Sequence, residues 1–368
     1  MNKELKKDDD VIKICRKKVR LKKKYSDIKP RIDTGLARPR QPKTPIVSRK
    51  DLPPLVRLSD LCVLGNKISN GERFKRINNS ALCRSYVFID QLNVLIGLDE
   101  LKRTVFDQII YFLLGLDKIT KDDFLHTVLT GPPGTGKTTV ARILGQIYSA
   151  LGVIKDNKSV FKIAHREDLV ASYLGQTATK TLDLLQSCVG GVLFIDEVYA
   201  LGSGVEGKDS FSKEAVDTLC GFLSENSDRF VCIVAGYEED VERCFFGLNK
   251  GLKSRFNWVH SLTSYAPSEL CDIFFAQVKS IGWCISASDK EEIRKTIEKE
   301  SSIFDQGQGR AIKNFVFKCK IAHSKRLLYS PGCSPGEITA QDVDDAIQLV
   351  LSGMKSSNNN KEYIGMFL

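Results

Sequence analysis

The sequence predicts an α/β fold, a parallel sheet with helices on both faces, followed by a small all-helical domain. Two observations predict the sheet, namely the alternation of apolar with helical segments and the continuous apolarity of the former. Short apolar segments alternate with segments of helical periodicity between residues 125 and 235, and these apolar segments lack the polar alternation of a half-exposed strand. The third observation predicts the helical domain, because almost all patterning from Pro267 onward has the helical period. The length of 368 residues allows two or three domains.

The positive charge of the chain is concentrated in its first 50 residues. They contain 18 Lys and Arg against 6 Asp and Glu, whereas the rest of the chain contains 37 against 39. Residues 1–54 also hold six of the eleven prolines, so we predict a flexible basic tail, disordered for lack of apolar surface. Three roles stay open for this tail: a nuclear-import signal, an anchor for nucleic acid or another anionic surface, and a solubilising segment.

Cysteine usage and hydropathy narrow the class of protein. The eleven cysteines include no C-x-x-C pair, and there are only four histidines. This pattern argues against a disulfide framework or a zinc site and favours reduced thiols in a cytoplasmic protein, with the nucleus left open by the basic tail. No apolar stretch reaches the roughly 18 residues that a membrane helix needs, so we expect no membrane contact.

The elements follow in chain order. Residues 55–94 form a weakly patterned helical N-terminal extension, and a firmer helix is predicted over Asp99–Leu113, where Asp99 can cap the start. In the predicted α/β core, 95–265, the candidate strands are 125–130, 159–164, 191–195 and 230–235, and the candidate helices include 177–187 and 211–226. The predicted helical lid, 266–355, has helices over 268–281, 287–302, 310–328 and 340–353, and residues 356–368 are predicted to be a loose end.

A glycine-rich loop lies between the first apolar strand and the helix that follows. It reads Gly131-Pro132-Pro133-Gly134-Thr135-Gly136-Lys137-Thr138-Thr139, the pattern G-x-x-x-x-G-K-[ST] in its strand–loop–helix context. The glycines let consecutive N–H groups point at phosphate oxygens, and the helix presents its positive end to them. Lys137 is predicted to reach the β- and γ-phosphates of a nucleotide, and the Thr138 hydroxyl to ligate Mg²⁺.

An acidic pair supplies the partner that such a loop requires. Asp196 and Glu197 directly follow the apolar strand 191–195, about sixty residues past the loop. Because carboxyl ends of parallel strands meet at one edge of a sheet, we expect the pair to lie beside the loop. Asp196 is predicted to hold Mg²⁺ through water, and Glu197 to polarise the attacking water as general base.

These motifs together resemble the Walker A and Walker B pair of an AAA+ ATPase. Four segments resemble the CfxQ/CbbX and sporulation stage V protein K group more specifically: 168–177, 191–199, 234–237 and 251–256. The resemblance covers roughly residues 90–353, and the first 90 residues lie outside it. It implies a P-loop nucleotide-binding domain with a helical lid, and ATP with Mg²⁺ as cofactors.

The resemblance also implies roles around the nucleotide. Arg255 occupies the position of an arginine finger that completes a neighbouring subunit's site, with Lys253 as a nearby alternative. A finger acting in trans implies a homo-oligomeric ring, a hexamer in this class. Arg310 resembles the sensor-2 arginine of the lid. Tyr237 stands where most AAA+ proteins have a sensor-1 asparagine, so the group that orients the water together with Glu197 stays open.

Tyr173-Leu174-Gly175 resembles the pore loop with which AAA+ rings grip a polypeptide, an aromatic contact beside a flexible glycine. The predicted function is therefore Mg²⁺-dependent ATP hydrolysis coupled to remodelling of a protein substrate or complex. Two alternatives remain: a nucleic-acid-associated ATPase that uses residues 1–50, and a nucleotide-gated scaffold with little hydrolysis. Rubisco activation is an activity of some members of the group, and nothing in this sequence demands it.

Overall fold

The computed structural model describes residues 49–118, 125–155, 157–173, 175–202, 210–329 and 334–364, with side chains as far as Gly353. The predicted basic tail lies outside the described residues up to residue 48. Leu174 of the predicted pore loop also lies outside them, as do residues 365–368 of the predicted loose end.

The described elements alternate as expected for an α/β fold followed by helices. Those of the first part are α1 (Leu58–Ser69), α2 (Asn79–Asn93), α3 (Asp99–Leu113), β1 (Thr127–Thr130), α4 (Lys137–Leu151), β2 (Val160–Ala164), α5 (Arg166–Leu169), α6 (Thr177–Ser187), β3 (Gly191–Ile195), α7 (Ser210–Glu225), β4 (Phe230–Gly236) and β5 (Trp258–Ser261). The second part contains α8 (Pro267–Ser280), β6 (Cys284–Ile285), α9 (Asp289–Lys299), α10 (Gln308–Tyr329), β7 (Glu337–Ile338) and α11 (Ala340–Ile364). None of the described helices combines the length and apolarity needed to cross a bilayer.

The sheet is five-stranded and parallel, in the order β2-β3-β4-β1-β5, which confirms the predicted fold class. At the carboxyl edge Thr130 of β1 pairs with Gly236 of β4 and with Ser261 of β5. Ile195 at the end of β3 pairs with Val234 on the other side of β4. The loop after β1 and the acidic pair after β3 therefore leave the same edge of the sheet, separated by one strand.

Both faces of the sheet are buried, because alternate side chains of each strand enter different hydrophobic clusters. Leu129 and Ile233 join the cluster that contains α3 and α4, whereas Val128 and Val234 join the cluster that contains α6 and α7. This arrangement explains why the strand sequences are apolar at nearly every position.

The helical extension before residue 95 packs into the α/β core. Leu61 of α1 and Leu82 and Ile89 of α2 are fully buried in the same hydrophobic cluster as Leu144 and Ile147 of α4. Burial of complete leucine and isoleucine side chains stabilises the folded chain by about 1.5–3 kcal/mol each. The extension is therefore part of the folded core.

The lid has a hydrophobic cluster of its own, with Phe274 of α8, Ile297 of α9, Phe315 of α10 and Val343 of α11 at its centre. A two-stranded parallel ribbon, β6 with β7, joins the lid helices. The sequence did not predict this ribbon, because two-residue strands leave no alternation to detect.

Three further details differ from the predictions. Strand β5 was not predicted, since it is a four-residue edge strand whose side chains are only partly buried. Asp99 is the first residue of α3 and not its cap. The cap is Leu98, whose backbone is left-handed at φ 60°, and it makes no side-chain cap bond. Helix α11 continues to Ile364, past residue 355 where the predicted lid ends.

Candidate functional site

The glycine-rich loop joins β1 to α4 in a conformation that excludes side chains at two positions. Gly131 has φ +144°, and a Cβ there would lie 2.3 Å from the carbonyl oxygen of Leu262. Gly134 has φ +77°, and a Cβ there would lie 1.9 Å from the carbonyl oxygen of Gly307 in the lid. Because either contact would force the backbone apart, glycine is required at both positions.

The ammonium of Lys137 is held inside the loop that precedes it. Its Nζ donates to the carbonyl oxygens of Gly131 at 2.7 Å and Pro132 at 2.8 Å. The same Nζ lies 5.6 Å from the ring centroid of Tyr237. Burial lowers the pKa of Lys137, while the carboxylate of Asp196 opposes that shift. A half-buried cation whose only hydrogen-bond partners among the described residues are carbonyls is suited to bind an anion.

Thr138 and Asp196 bring the loop and the acidic pair into direct contact. The Thr138 hydroxyl donates to Asp196 Oδ2 at 3.0 Å. The other carboxylate oxygen, Oδ1, accepts the backbone N–H of Glu197 at 3.0 Å. Glu197 has a left-handed backbone at φ 50°, so the chain turns sharply after β3. The turn brings both acidic residues to the wall of one cavity.

That cavity has a volume of about 310 Å³ and lies at the carboxyl edge of the sheet. Its described charged side chains are two cations, Lys137 and Arg310, and two anions, Asp196 and Glu197. The other lining residues are Pro133, Gly134, Gly136, Thr138, Thr139, Tyr199, Gly236 and Tyr237. We call this space the phosphate cavity.

Three residues of the predicted loop lie outside the lining of the phosphate cavity. Gly131, Pro132 and Thr135 do not line it. The buried Thr135 hydroxyl donates to the carbonyl oxygen of Pro132 at 2.8 Å, and that carbonyl also receives Lys137. These residues therefore fix the shape of the loop.

Arg310 reaches the phosphate cavity because the start of α10 rests on the loop. The N–H of Gly309 donates to the carbonyl oxygen of Gly134 at 3.1 Å. Gln308, with a left-handed backbone at φ 45°, accepts the N–H of Tyr265 through its side-chain oxygen at 3.0 Å. The lid thus contacts both the loop and the segment that connects it to the core.

Two tyrosines line the phosphate cavity opposite the loop. The rings of Tyr199 and Tyr237 lie 5.5 Å apart between centroids, with planes inclined by 35°. Burial raises the pKa of Tyr199, and the negative charge of Glu197 adds to this effect. Sequence reasoning identified Tyr237 and missed Tyr199, although Tyr199 comes only two residues after Glu197.

A second, more apolar cavity of about 480 Å³ lies beside the loop, and the sequence did not predict it. We call it the base cavity. It shares Gly134, Gly136 and Thr139 with the phosphate cavity. Its other lining residues come from four separate segments: Val94, Leu95, Ile96 and Leu98; Thr135 and Val140; Tyr265, Ile273, Ala276, Gln277 and Ser280; and Gly309. The one sequence feature that could have indicated this cavity was the apolar turn before α3, but an apolar turn by itself indicates only that its side chains are packed in the core.

Arg255 and Lys253 lie away from the phosphate cavity of their own chain, and neither belongs to its described lining. Arg255 Nε donates to the Ser224 hydroxyl at 2.6 Å, and its terminal nitrogen donates to the carbonyl oxygen of Gly251. Exposed Lys253 pairs with Glu242 at 2.9 Å. Of the two cations, Arg255 has the more fixed geometry.

The predicted pore loop is exposed where the structure describes it. The side chain of Tyr173 is 72% exposed, and Gly175 has φ +78° with no atom near a Cβ built on it. The loop lies between α5 and α6, and neither residue lines the phosphate cavity or the base cavity.

Known proteins similar to this chain agree with the motifs. Residues 127–256 match the ATPase family associated with various cellular activities (AAA). A putative cfxQ-like protein of Acanthamoeba polyphaga mimivirus is 36% identical over 307 residues, which cover 81% of this chain and 74% of that protein. Stage V sporulation protein K of Bacillus subtilis is 32% identical over 65% of this chain and 75% of that protein.

Among solved structures, the FIGL-1 AAA domain resembles the fold with a TM-score of 0.50. It is 18% identical, and the similarity covers 73% of this chain and 88% of that domain. The family match, the two relatives and the fold agree with one another. The chain therefore belongs to the AAA ATPases, and within them to the CfxQ-like group.

Proposed function

We propose that this ATPase works as a Mg²⁺-dependent ring that remodels a protein substrate or complex. The observation that carries the proposal is the 3.0 Å contact between the Thr138 hydroxyl and Asp196, in a cavity that also contains Lys137 and Arg310. A hydroxyl, a carboxylate and two cations thus line one cavity, and they are the groups that a triphosphate with its metal ion needs.

The donor set fits Mg²⁺. Hard oxygen ligands from one hydroxyl and one carboxylate are what this ion takes in nucleotide sites, where it keeps several waters and binds phosphate oxygens. Thr138 would hold it directly and Asp196 through water. When bound, the ion would neutralise negative charge on the β- and γ-phosphate oxygens.

The remaining groups of the phosphate cavity act on the γ-phosphate. Lys137 would exchange its two carbonyl partners for phosphate oxygens, and Arg310 would approach from the lid. Glu197 would take the proton of the attacking water as general base. The rings of Tyr199 and Tyr237 would restrict the positions open to that water, and this restriction would favour in-line attack on the γ-phosphate.

The base cavity suits the adenine ring. It is apolar, it adjoins the loop through Gly134 and Gly136, and its walls come from the core and from helix α8 of the lid. A nucleotide that fills both cavities would contact both lobes of the chain. Loss of the γ-phosphate would then change the position of the lid.

The place of Arg255 supports a ring, for which a hexamer is the expected size. Its guanidinium is tied to Ser224 and Gly251, away from its own phosphate cavity. It would complete the site of a neighbouring subunit as an arginine finger. The exposed Tyr173 would project from each subunit to grip a polypeptide, since an aromatic ring offers contact area with little dependence on sequence.

Glu197→Gln tests the hydrolysis step. We expect ATP binding to be kept and turnover to fall by about 100-fold or more, as for loss of a general base. Turnover is measured by phosphate release, and binding by titration with a fluorescent ATP analogue. Glu100→Gln, an exposed position on α3, is the matched control. Normal turnover in Glu197→Gln would exclude Glu197 as the base.

Mixing two inactive variants tests the ring. Arg255→Ala lacks the finger and Lys137→Ala lacks the phosphate ligand, so each alone should be inactive. In mixed rings some sites combine an intact phosphate cavity with an intact finger, and activity should reappear. A mixture that stays as inactive as its components contradicts a finger acting in trans. Sedimentation of each variant shows whether it still assembles.

The variant Glu197→Gln, which lacks the proposed general base, can also be used to identify the protein substrate. Glu197→Gln with ATP should retain its protein substrate, whereas Glu197→Gln carrying Tyr173→Ala should release it. Mass spectrometry of the retained proteins measures the difference. Equal retention with and without Tyr173 would contradict the pore-loop role.

The basic tail supports one alternative, an ATPase associated with nucleic acid. Residues 1–50 carry a net charge of +12, which favours binding to polyphosphate. ATPase stimulation by DNA or RNA that disappears when residues 1–50 are deleted would favour this function.

A cytoplasmic or nuclear location belongs to the proposal and agrees with the nine cysteines of the described residues, none of which forms a disulfide.

A further inference from the structure

A third cavity lies at the opposite edge of the sheet from the phosphate cavity. Its volume is about 530 Å³, and it is bounded by helices α2 and α4 and by the first residues of β2 and β3. It shares no described lining residue with the phosphate cavity or the base cavity. We call it the amino-edge cavity. Its size falls within the range of small-molecule sites, about 300–1,000 Å³.

The charged side chains among the described lining of this cavity are two arginines. The guanidinium carbon of Arg142 lies 5.1 Å from the ring centroid of Phe161. Arg84 donates through Nε to the carbonyl oxygen of Ala150 at 3.0 Å, which orients its guanidinium, and its terminal nitrogens make no hydrogen bond to the described part of the chain. No ion pair recorded for the described residues involves either arginine.

The rest of the wall is apolar, with a rim that is already ordered. Phe88, Ile154, Phe161 and Val192 provide the apolar surface. On the rim, Asn157 donates to the Ser149 hydroxyl at 2.6 Å and accepts the N–H of Ser159 at 2.7 Å. Because these side chains are already held by hydrogen bonds, the rim loses little conformational entropy when a ligand binds.

We propose that the amino-edge cavity binds a small organic anion with a planar apolar body, and that this ligand regulates ATP turnover. The planar body would lie against Phe88 and Ile154, while the anionic group would accept hydrogen bonds from Arg84 and Arg142. Arginine suits this ligand because it pairs with carboxylate, sulfonate or phosphate groups and also stacks on flat rings.

Helix α4 gives the cavity a route to the phosphate site. Lys137 begins this helix at the phosphate cavity, and Arg142, Gln146 and Ala150 line the amino-edge cavity further along it. A Cβ on Gly145 would lie 2.9 Å from the ring of Phe161, so helix α4 and strand β2 are in close contact at this position. Because Arg142 belongs to α4, a ligand bound to its guanidinium would act on the helix that carries Lys137.

The test uses 8-anilinonaphthalene-1-sulfonate, a planar apolar anion whose fluorescence rises in apolar surroundings, with ADP present to occupy the other two cavities. We expect saturable binding to the full chain. Arg84→Ala/Arg142→Ala should weaken it at least about tenfold, as for loss of charge-assisted contacts. Arg103→Ala, an exposed arginine on α3, should leave it unchanged.

A blocking variant separates this site from other apolar surfaces. Gln146→Trp keeps both arginines and fills the cavity, so it should also lose the binding. The probe should change the ATP turnover of the unmodified chain at least about twofold, and it should leave that of Gln146→Trp unchanged. Circular dichroism confirms that the variants fold.

Three results would overturn the proposal. One is equal binding of the probe to the unmodified chain and to Arg84→Ala/Arg142→Ala. Another is equal loss of binding in Arg103→Ala. The third is binding at the cavity with no change in turnover. None of them bears on the hydrolytic role of Glu197, because the proposed general base lies in the phosphate cavity and is tested separately.

Discussion

The two cavities beside the glycine-rich loop are built in different ways. The phosphate cavity is polar, and most of its wall comes from one continuous segment together with the turn after β3. The base cavity is mostly apolar, and its wall comes from four segments far apart in the sequence, none of which supplies most of it. The first should govern charge and chemistry, whereas the second should govern affinity. Variants in the two cavities should therefore change different kinetic constants.

The largest effect is expected from Lys137→Ala. The variant loses charge-assisted contacts with two phosphate groups, each contact being worth about 1.5–3 kcal/mol, so kcat/KM for ATP should fall by about 100-fold or more. Steady-state phosphate release measures the change. Lys67→Ala, an exposed lysine on α1, is the control. A loss confined to KM, with kcat intact, would remove the distinction between the two cavities.

A smaller effect is expected from Ala276→Trp in the base cavity. The indole would occupy the space that we propose for the adenine ring, so KM for ATP should rise about tenfold while kcat stays within about twofold. Lys279→Trp places the same indole on the same helix at an exposed position outside the cavity and should change neither constant. A comparable fall in kcat for Ala276→Trp would mean that the base cavity also takes part in the chemical step.

The smallest effect is expected from Tyr265→Phe, a residue of the base cavity that contacts the loop. Its hydroxyl donates to the carbonyl oxygen of Thr135 at 3.0 Å, so the variant removes one neutral hydrogen bond to the loop. If this bond contributes about 0.5–1.5 kcal/mol to transition-state stabilisation, its loss should lower kcat/KM by about two- to tenfold. The split between kcat and KM shows which cavity the bond serves. An unchanged kcat/KM would show that this bond contributes to neither.

The same contrast explains how much of the site could be predicted from the sequence. Lys137, Thr138 and Asp196 could be found because the chemistry of a phosphate loop depends on residue types at fixed local spacing. Ile96, Tyr265 and Ala276 could not be found, since apolar residues in these places indicate packing in general and their meeting depends on the fold.

The fold shows a similar division. The buried parallel strands and the long helices of the core and the lid were predictable, because their apolar patterns are strong and continuous. The edge strand β5 and the ribbon of β6 and β7 were not, since short and partly exposed strands carry little pattern. The position of α1 and α2 in the core was also missed. A weak helical pattern indicates that a helix forms, but not where it docks.

The burial of Leu61, Leu82 and Ile89 against α4 has a practical consequence for anyone who truncates the chain. The AAA match covers residues 127–256, but a recombinant fragment cut to those limits would bare the apolar flank of α4 to solvent. Such a fragment would aggregate or lose ATP binding even though every Walker residue is present. Expression from about residue 57 keeps that flank covered.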